Sequence, residues 1–266
     1  MSKYEKVCVV GLGYIGLPTS IILANSGFKV TGFDINSKII NKINAGVCHI
    51  KEPGLEAALN MAIENGLLAK KTICESDIFI IAVPTPVDLD KKPDLSYVKK
   101  AIDIIIPVLE SGNLVIIEST IPVGTTKLML DRILEKRKDL SGSINISHCP
   151  ERVLPGKILK ELIDNDRIVG GINKKSTKMS CDFYRKFVKG KVLPTTHKVA
   201  EMAKLAENAY RDVNIAYANE LSMICSSLEI DVKELIGLAN RHPRVNILEP
   251  SPGVGGHCIA VDPMFI

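Results

Sequence analysis

Residues 6–16 read KVCVVGLGYIG, a short apolar run that ends on three glycines, Gly11, Gly13 and Gly16, spaced GxGxxG. An apolar-periodic segment follows to about Asn25, so the glycines stand between a strand and the start of a helix. That context restricts the fold more than any other stretch. The first glycine permits the tight turn and the second lets a pyrophosphate approach the backbone. The third lets the helix pack closely on the sheet, and the helix N-terminus stabilises negative charge. A second strand, KVTGF (29–33), ends on Asp34, eighteen positions after Gly16. A carboxylate there accepts hydrogen bonds from ribose hydroxyls and repels a 2′-phosphate, so the cofactor expected is NAD rather than NADP. Tyr14 and Ile15, inside the turn, either touch that cofactor or pack. The alternative, a glycine turn that binds no dinucleotide, has strand, turn, helix and acid against it.

Further apolar runs alternate with helical ones: DIFIIAVP (77–84), a helix across 96–109, LVIIES (114–119), a helix from about Thr125 to Lys138, and INIS (144–147). This alternation predicts an α/β fold, a Rossmann-like, doubly wound parallel sheet covered on both faces. A segment at about 167–193 extends the same domain, which is assigned residues 1–196. The loops AVPTP (82–86) and STIPVGTT (119–126) fall at carboxyl ends of strands, where such sheets bind ligands. Thr85, Thr120 and Thr126 are therefore candidate cofactor contacts, though each could equally cap a helix or turn.

From His197 the character changes. Residues 197–230 contain neither Pro nor Gly and are rich in Ala, Leu and Glu. They predict one helix over 198–228, about 45 Å long at 1.5 Å per residue. A helix of that length links domains or pairs subunits. Asp231 and Glu234 resemble a capping box opening a shorter helix to Asn240. Residues 197–266 are thus read as a helical central or dimerisation domain, whose tail, from Arg241, is loop-like with four prolines and three glycines.

Composition excludes several classes. The chain is 46% apolar and 24% charged, within the range of globular proteins, and it has no apolar stretch longer than a strand needs. No signal-peptide pattern opens it, so a cytoplasmic protein without a membrane partner is expected. The net charge of +4 comes without a basic stripe interleaved with aromatics, which argues against nucleic acid. Seven scattered cysteines with no CxxC pair argue against a disulfide framework and a zinc site, and no metal is expected.

The tail carries the chemistry: GVGGHCIAVDP, residues 253–263. Glycines around a nucleophile let backbone and substrate carbon come close, and Cys258 would need a nearby cation to attack as a thiolate. Taken alone, Cys258 reads as a buried free thiol and Asp262 as a solvated loop residue. The long helix offers a cation: Lys204, Asn208 and Arg211 lie at i, i+4 and i+7, within about a 60° sector. Val199, Ala206, Ala209 and Val213 lie toward the opposite side, so a polar face shown to water explains the spacing equally well. CPERVLPG (149–156) could be only a proline-bent loop.

GLGYIGLP, ESTIPVG, CPERVLPG, EMAKLAENAYRDVNIAYANE, RHPRVNIL and GVGGHCIAVDP stand in the order seen in nucleotide-sugar dehydrogenases, and the resemblance covers nearly the whole chain. PERVLPG, RHPRVNIL and GGHCIAVDP are similar to the branch acting on UDP-N-acetylmannosamine. UDP-glucose members more typically read PEFL and GGxCxPKD; Val261 stands where they have lysine. The resemblance implies a four-electron oxidation of a UDP-sugar at C6 with two NAD and one water. Cys258 would capture the aldehyde as a thiohemiacetal, later oxidised to a thioester. By position, Lys204 would stabilise oxyanions, Asp262 would orient water or move a proton, and Thr120 and Asn208 would assist. Glu151 matches the glutamate implicated in thioester hydrolysis. Arg152, Val153, Lys204, Asn208, Arg211, His242, Arg244 and Gly255 would line the sugar-nucleotide site, the Arg244 position serving a neighbouring subunit in a homodimer or higher homo-oligomer. Such enzymes continue into a second, UDP-binding domain, so the resemblance implies that this chain stops before it. Three alternatives stay open: oxidation of UDP-glucose or another UDP-N-acetylhexosamine, a single-hydride β-hydroxyacid dehydrogenase with no use for Cys258, and a non-catalytic NAD-binding module.

Overall fold

The structure is a computed structural model that describes residues 6–254 and 259–266. Its centre is an eight-stranded sheet in the order β3-β2-β1-β4-β5-β6-β7-β8. The strands are β1 (Lys6–Val10), β2 (Lys29–Phe33), β3 (Leu68–Lys70), β4 (Ile78–Ile81), β5 (Leu114–Ile117), β6 (Asn145–His148), β7 (Arg167–Gly171) and β8 (Val192–Thr196). Strand order reverses beside β1, which pairs with β2 on one side and β4 on the other, both parallel. The crevice at that switch point is where a doubly wound sheet takes its ligand.

β4 and β5 are buried at every position because both faces of the sheet are covered. Alternation divides their side chains between two cores. Val7, Val9, Ile78, Ile80, Leu114 and Ile116 pack toward α1 (Gly16–Asn25), α3 (Leu55–Glu64) and α7 (Lys174–Tyr184). Cys8, Val10, Phe79, Ile81, Val115 and Ile117 pack toward α4 (Ser96–Ile105) and α5 (Thr125–Lys136). Pro107 ends α4 early: the helix expected over 96–109 stops at Ile105 and tightens into a 3-10 turn, Ile106–Val108. Two further helices, α2 (Ser37–Asn44) and α6 (Ile158–Asp164), complete the flanks.

Two further features depart from the sequence-based expectation. β3 is a three-residue edge strand too short to carry a periodic signal. β7 runs antiparallel to β6, although it continues the same sheet. The connection between them therefore begins and ends at one edge, with α6 anchored there through Ile158 and Leu162 on Ile22 of α1.

β8 runs straight into α8 (His197–Ser227), where the Thr196 hydroxyl accepts from the Val199 N–H. α8 buries Ala200, Leu205, Ala218 and Cys225 but presents a second apolar stripe outward: Val199, Tyr210, Val213, Tyr217 and Ile224 are all exposed. Its polar residues Glu201 and Asn208 are buried. α9 (Val232–Ala239) follows, with Asp231 as its cap, accepting from the Lys233 N–H. The chain returns to α8 with a last 3-10 turn, Asp262–Phe265, packed on the long helix. No helix among the described residues is long and apolar enough to cross a membrane.

Candidate active site

The three glycines of the turn face three different surroundings. Gly11 has φ +94°, and a Cβ there would lie 2.6 Å from the Ala82 carbonyl oxygen. A Cβ on Gly16 would lie 1.8 Å from the Gly11 carbonyl oxygen, so only glycine lets α1 begin against the turn. A Cβ on Gly13 would meet nothing within 4 Å, which leaves its backbone open to a ligand. This is the cradle that a pyrophosphate requires. Asp34 closes it from the second strand: Oδ2 accepts from the Leu12 N–H at 3.0 Å and Oδ1 from the Asn36 N–H at 2.8 Å. Each oxygen keeps a further lone pair for a ribose hydroxyl.

Of the two residues inside the turn, Ile15 packs against the core. Tyr14 is exposed, and its hydroxyl donates to Glu52, which also accepts from the Gly156 N–H at 2.8 Å. Glu52 thus joins the glycine turn to the loop at 149–157. Thr85 and Thr120 stand half-buried after β4 and β5. Thr126 is different. It is fully buried, its hydroxyl donates to Glu201 at 2.6 Å, and its N–H meets the same carboxylate oxygen at 2.8 Å. The other Glu201 oxygen accepts from the Gly124 N–H at 2.7 Å. Thr126 thus fastens α8 to the N-terminus of α5, the capping role.

Between the long helix and the segment 152–166 lies a cleft of about 850 Å³, lined by Arg152, Val153, Lys204, Glu207, Asn208 and Arg211 among others. The polar stripe of α8 faces this cleft, not water. Asn208 is 1% exposed, and its amide is held at both ends. Oδ1 accepts from Arg211 at 2.6 Å and Nδ2 donates to Asp262, which is itself buried in the last turn. Burial raises the Asp262 carboxyl above the usual carboxylate range, and the Asn208 hydrogen bond, Lys204 and Arg211 oppose that rise. Arg152 is tied to Glu207 of α8 through Nε at 3.0 Å and Nη2 at 2.9 Å.

Glu151, next to the cleft-lining Arg152 in the chain, is itself buried, with one oxygen on the Arg152 N–H at 2.6 Å and the other on Arg167 at 2.6 Å. His242 and Arg244 are not brought to the cleft; they stand exposed in the turn after α9, where His242 Nδ1 accepts from the Arg244 N–H. Gly255 and Cys258 lie outside the described residues. Sequence reasoning missed Glu52, Glu201, Glu207, Arg167, Glu118 and Tyr184. Glu118, at the end of β5, is buried and accepts from the Tyr184 hydroxyl at 2.8 Å. Burial pushes its carboxyl up to about 7.

Residues 5–188 match the family model of the UDP-glucose/GDP-mannose dehydrogenase NAD binding domain, and residues 198–266 match the central domain of the same family. The chain belongs to the UDP-glucose/GDP-mannose dehydrogenase family. It carries that family's NAD-binding domain. A UDP-N-acetyl-D-mannosamine dehydrogenase from Campylobacter jejuni is 53% identical over 276 residues, covering 100% of this chain and 68% of the relative. One from Methanococcus vannielii is 54% identical over 269 residues, covering 99% and 61%. Among solved structures, a UDP-D-ManNAc dehydrogenase from Pyrococcus horikoshii superimposes with a TM-score of 0.95 at 46% identity, covering 98% of this chain and 63% of that one. The chain thus spans about two thirds of the length of the relatives it matches.

Proposed function

We propose that the protein is a UDP-sugar 6-dehydrogenase that oxidises UDP-N-acetyl-D-mannosamine to the uronate, with two NAD and one water. One observation carries this reading. Lys204, Asn208 and Arg211 of α8 line a cleft with Arg152 and Val153 at the carboxyl edge of the NAD-binding sheet, and Asn208 holds Asp262 there. The relatives named for UDP-N-acetyl-D-mannosamine support the choice of sugar.

Bound NAD supplies the hydride acceptor. Lys204 neutralises the C6 alkoxide and the later oxyanions from its place in the cleft. Thr120, half-buried at the end of β5, assists from the sheet side. Cys258 adds its sulfur to the C6 aldehyde, which holds that carbon in the site until its second oxidation. Asp262 orients the water that cleaves the resulting thioester, and Glu151 takes that water's proton. Arg152 and Arg211, with Val153 between them in the cleft wall, meet the anionic sugar nucleotide. The domains divide at 196/197, where β8 passes into α8 without a loop.

The complete protein is expected to yield two NADH per UDP-N-acetylmannosamine consumed. Cys258→Ser is expected to lose turnover or to halt after one NADH. One NADH per sugar, with Cys258→Ser as active as the parent, would refute the thioester route.

We also propose that α8 pairs with a second copy of the chain. An exposed stripe of Val199, Tyr210, Val213, Tyr217 and Ile224 on a 31-residue helix supports it. Sedimentation of Val213→Asp/Tyr217→Asp should show a monomer where the parent sediments as a dimer or larger. An unchanged assembly in that variant would exclude this face.

A further inference from the structure

The reversal of β7 has a chemical result. Because β7 is antiparallel to β6, its first residue, Arg167, stands at the same edge at which β6 delivers the segment 149–154. The register pairs Ser147 with Gly171 and His148 with Gly170; carried three residues past the ladder, it sets Glu151 opposite Arg167. Nη1 of Arg167 meets Glu151 Oε2 at 2.6 Å, with the side chains only 4% and 7% exposed.

Arg167 is fixed on two further sides. Nη2 donates to the Leu162 carbonyl at 3.1 Å, at the closing end of α6, and the guanidinium lies over the Tyr184 ring, 5.4 Å from its centre. The Tyr184 hydroxyl is in turn committed to Glu118. A fork clamped in this way has one orientation, and so does the carboxylate it holds. The remaining Glu151 oxygen, Oε1, sits on the N–H of Arg152, whose side chain lines the cleft.

A buried ion pair is weak evidence for stability, since an apolar pair of the same volume often serves as well. What an arginine–carboxylate pair provides that an apolar pair does not is a fixed carboxylate.

We infer that Arg167 is the positioning residue of Glu151 and serves the hydrolytic half of the reaction, not the hydride steps. The inference rests on Glu151 acting in thioester hydrolysis, as proposed above. Arg167 occupies Oε2 and leaves a lone pair of Oε1, beside the backbone of the cleft-lining Arg152, to take a proton from water. The water oxygen bonds to the acyl carbon, the carbon–sulfur bond breaks, and its electron pair leaves on the Cys258 sulfur. The proton held on Glu151 then passes to that sulfur or to solvent, and the new carboxylic acid ionises. Nothing is oxidised or reduced in this step.

The test uses Arg167→Gln, Arg167→Lys, Glu151→Gln and the Arg167→Gln/Glu151→Gln double variant of the complete protein, with NAD and UDP-N-acetylmannosamine. Rapid quenching counts NADH in the first turnover, and intact mass detects an acyl adduct. Arg167→Gln is expected to form two NADH at nearly the parental rate and then stall as the adduct. Its kcat should fall on the order of 10- to 100-fold, toward the lower end of what a general base supplies, with KM little changed. Arg167→Lys should fall between it and the parent, Glu151→Gln should stall at the same point, and the double variant should be no slower than the worse single one.

Equal slowing of hydride transfer and hydrolysis in Arg167→Gln, with no adduct, would overturn the inference, as would additive losses in the double variant. A Glu151→Gln variant without adduct would remove the role of Glu151 and that of Arg167 with it. A stall in Glu151→Gln but in neither Arg167 variant would remove Arg167 alone. If Arg167→Gln does not fold, Arg167→Lys decides, since it keeps the charge and loses the planar fork.

Discussion

Lys204→Met is expected to lower kcat by about 10²- to 10³-fold, the usual cost of removing one donor from an oxyanion site. NAD binding should be unaltered, because the cradle proposed for the cofactor is the turn at Gly11–Gly16 and Lys204 stands on α8 in the cleft. The pH profile should move as well, and its direction follows from the surroundings of Asp262. Burial raises that carboxyl, while Asn208, Lys204 and Arg211 pull it down. Taking away Lys204 removes one of the three opposing influences, so the Asp262 carboxyl rises further. Any step that needs it ionised then loses its acid limb at a higher pH than in the parent. Steady-state rates across pH, beside NAD titration by fluorescence, check all three expectations. A raised KM at constant kcat would show that Lys204 contributes binding alone.

What could be read from the sequence was whatever is local or periodic. The β1–turn–α1–β2 unit and Asp34 are determined by residues within about thirty positions of one another, and each is where the motif places it. The apolar runs at 78–81 and 114–117 are unambiguous because a strand covered on both faces has no polar side. The stripe Lys204–Asn208–Arg211 was visible too, but not its direction. A helix that lines a cleft with a polar stripe has the same periodicity as one that shows that stripe to water, and only the neighbours distinguish them.

The residues that were missed share one property: their partners are remote. Glu201 caps α5 across 75 and 77 positions, Tyr184 reaches Glu118 across 66, and Arg167 meets Glu151 only because β7 reverses. A charged residue at the start of an apolar strand reads as an exposed end, so nothing in DRIVGG signals a buried arginine. His242 and Arg244 show the opposite limit. A motif places them near the chemistry, and within one copy of the chain they are exposed outside the cleft.

Two buried groups make stability depend on pH in opposing senses. Burial drives the His148 imidazole down to about 3 from 6.5, and drives the Glu118 carboxyl up to about 7 from 4.5. From pH 6.5 down to 3 the unfolded chain binds a proton at His148 that the native state refuses, so stability falls as pH falls. From pH 7 down to 4.5 the native state binds a proton at Glu118 that the unfolded chain refuses, so stability rises as pH falls. Each slope is about 1.4 kcal/mol per pH unit at most, and in the mildly acid range the two oppose each other. Glu118→Gln keeps an acceptor for the Tyr184 hydroxyl and removes one slope. Relative to the parent, it is expected to lose about 3 kcal/mol between pH 6.5 and 4.5. His148→Gln should move by a similar amount in the other direction. Below pH 4.5 the parent itself should weaken, because Glu118 is protonated in both states there and His148 is not. Asp103, held at about 2 by Arg132 and Lys136, adds to that loss as pH drops through its range. Urea unfolding at half-unit pH steps separates the curves. A Glu118→Gln profile parallel to the parent's would mean that Glu118 stays ionised in the native state, and the cluster with Arg167 and Glu151 would then hold two carboxylates on one guanidinium.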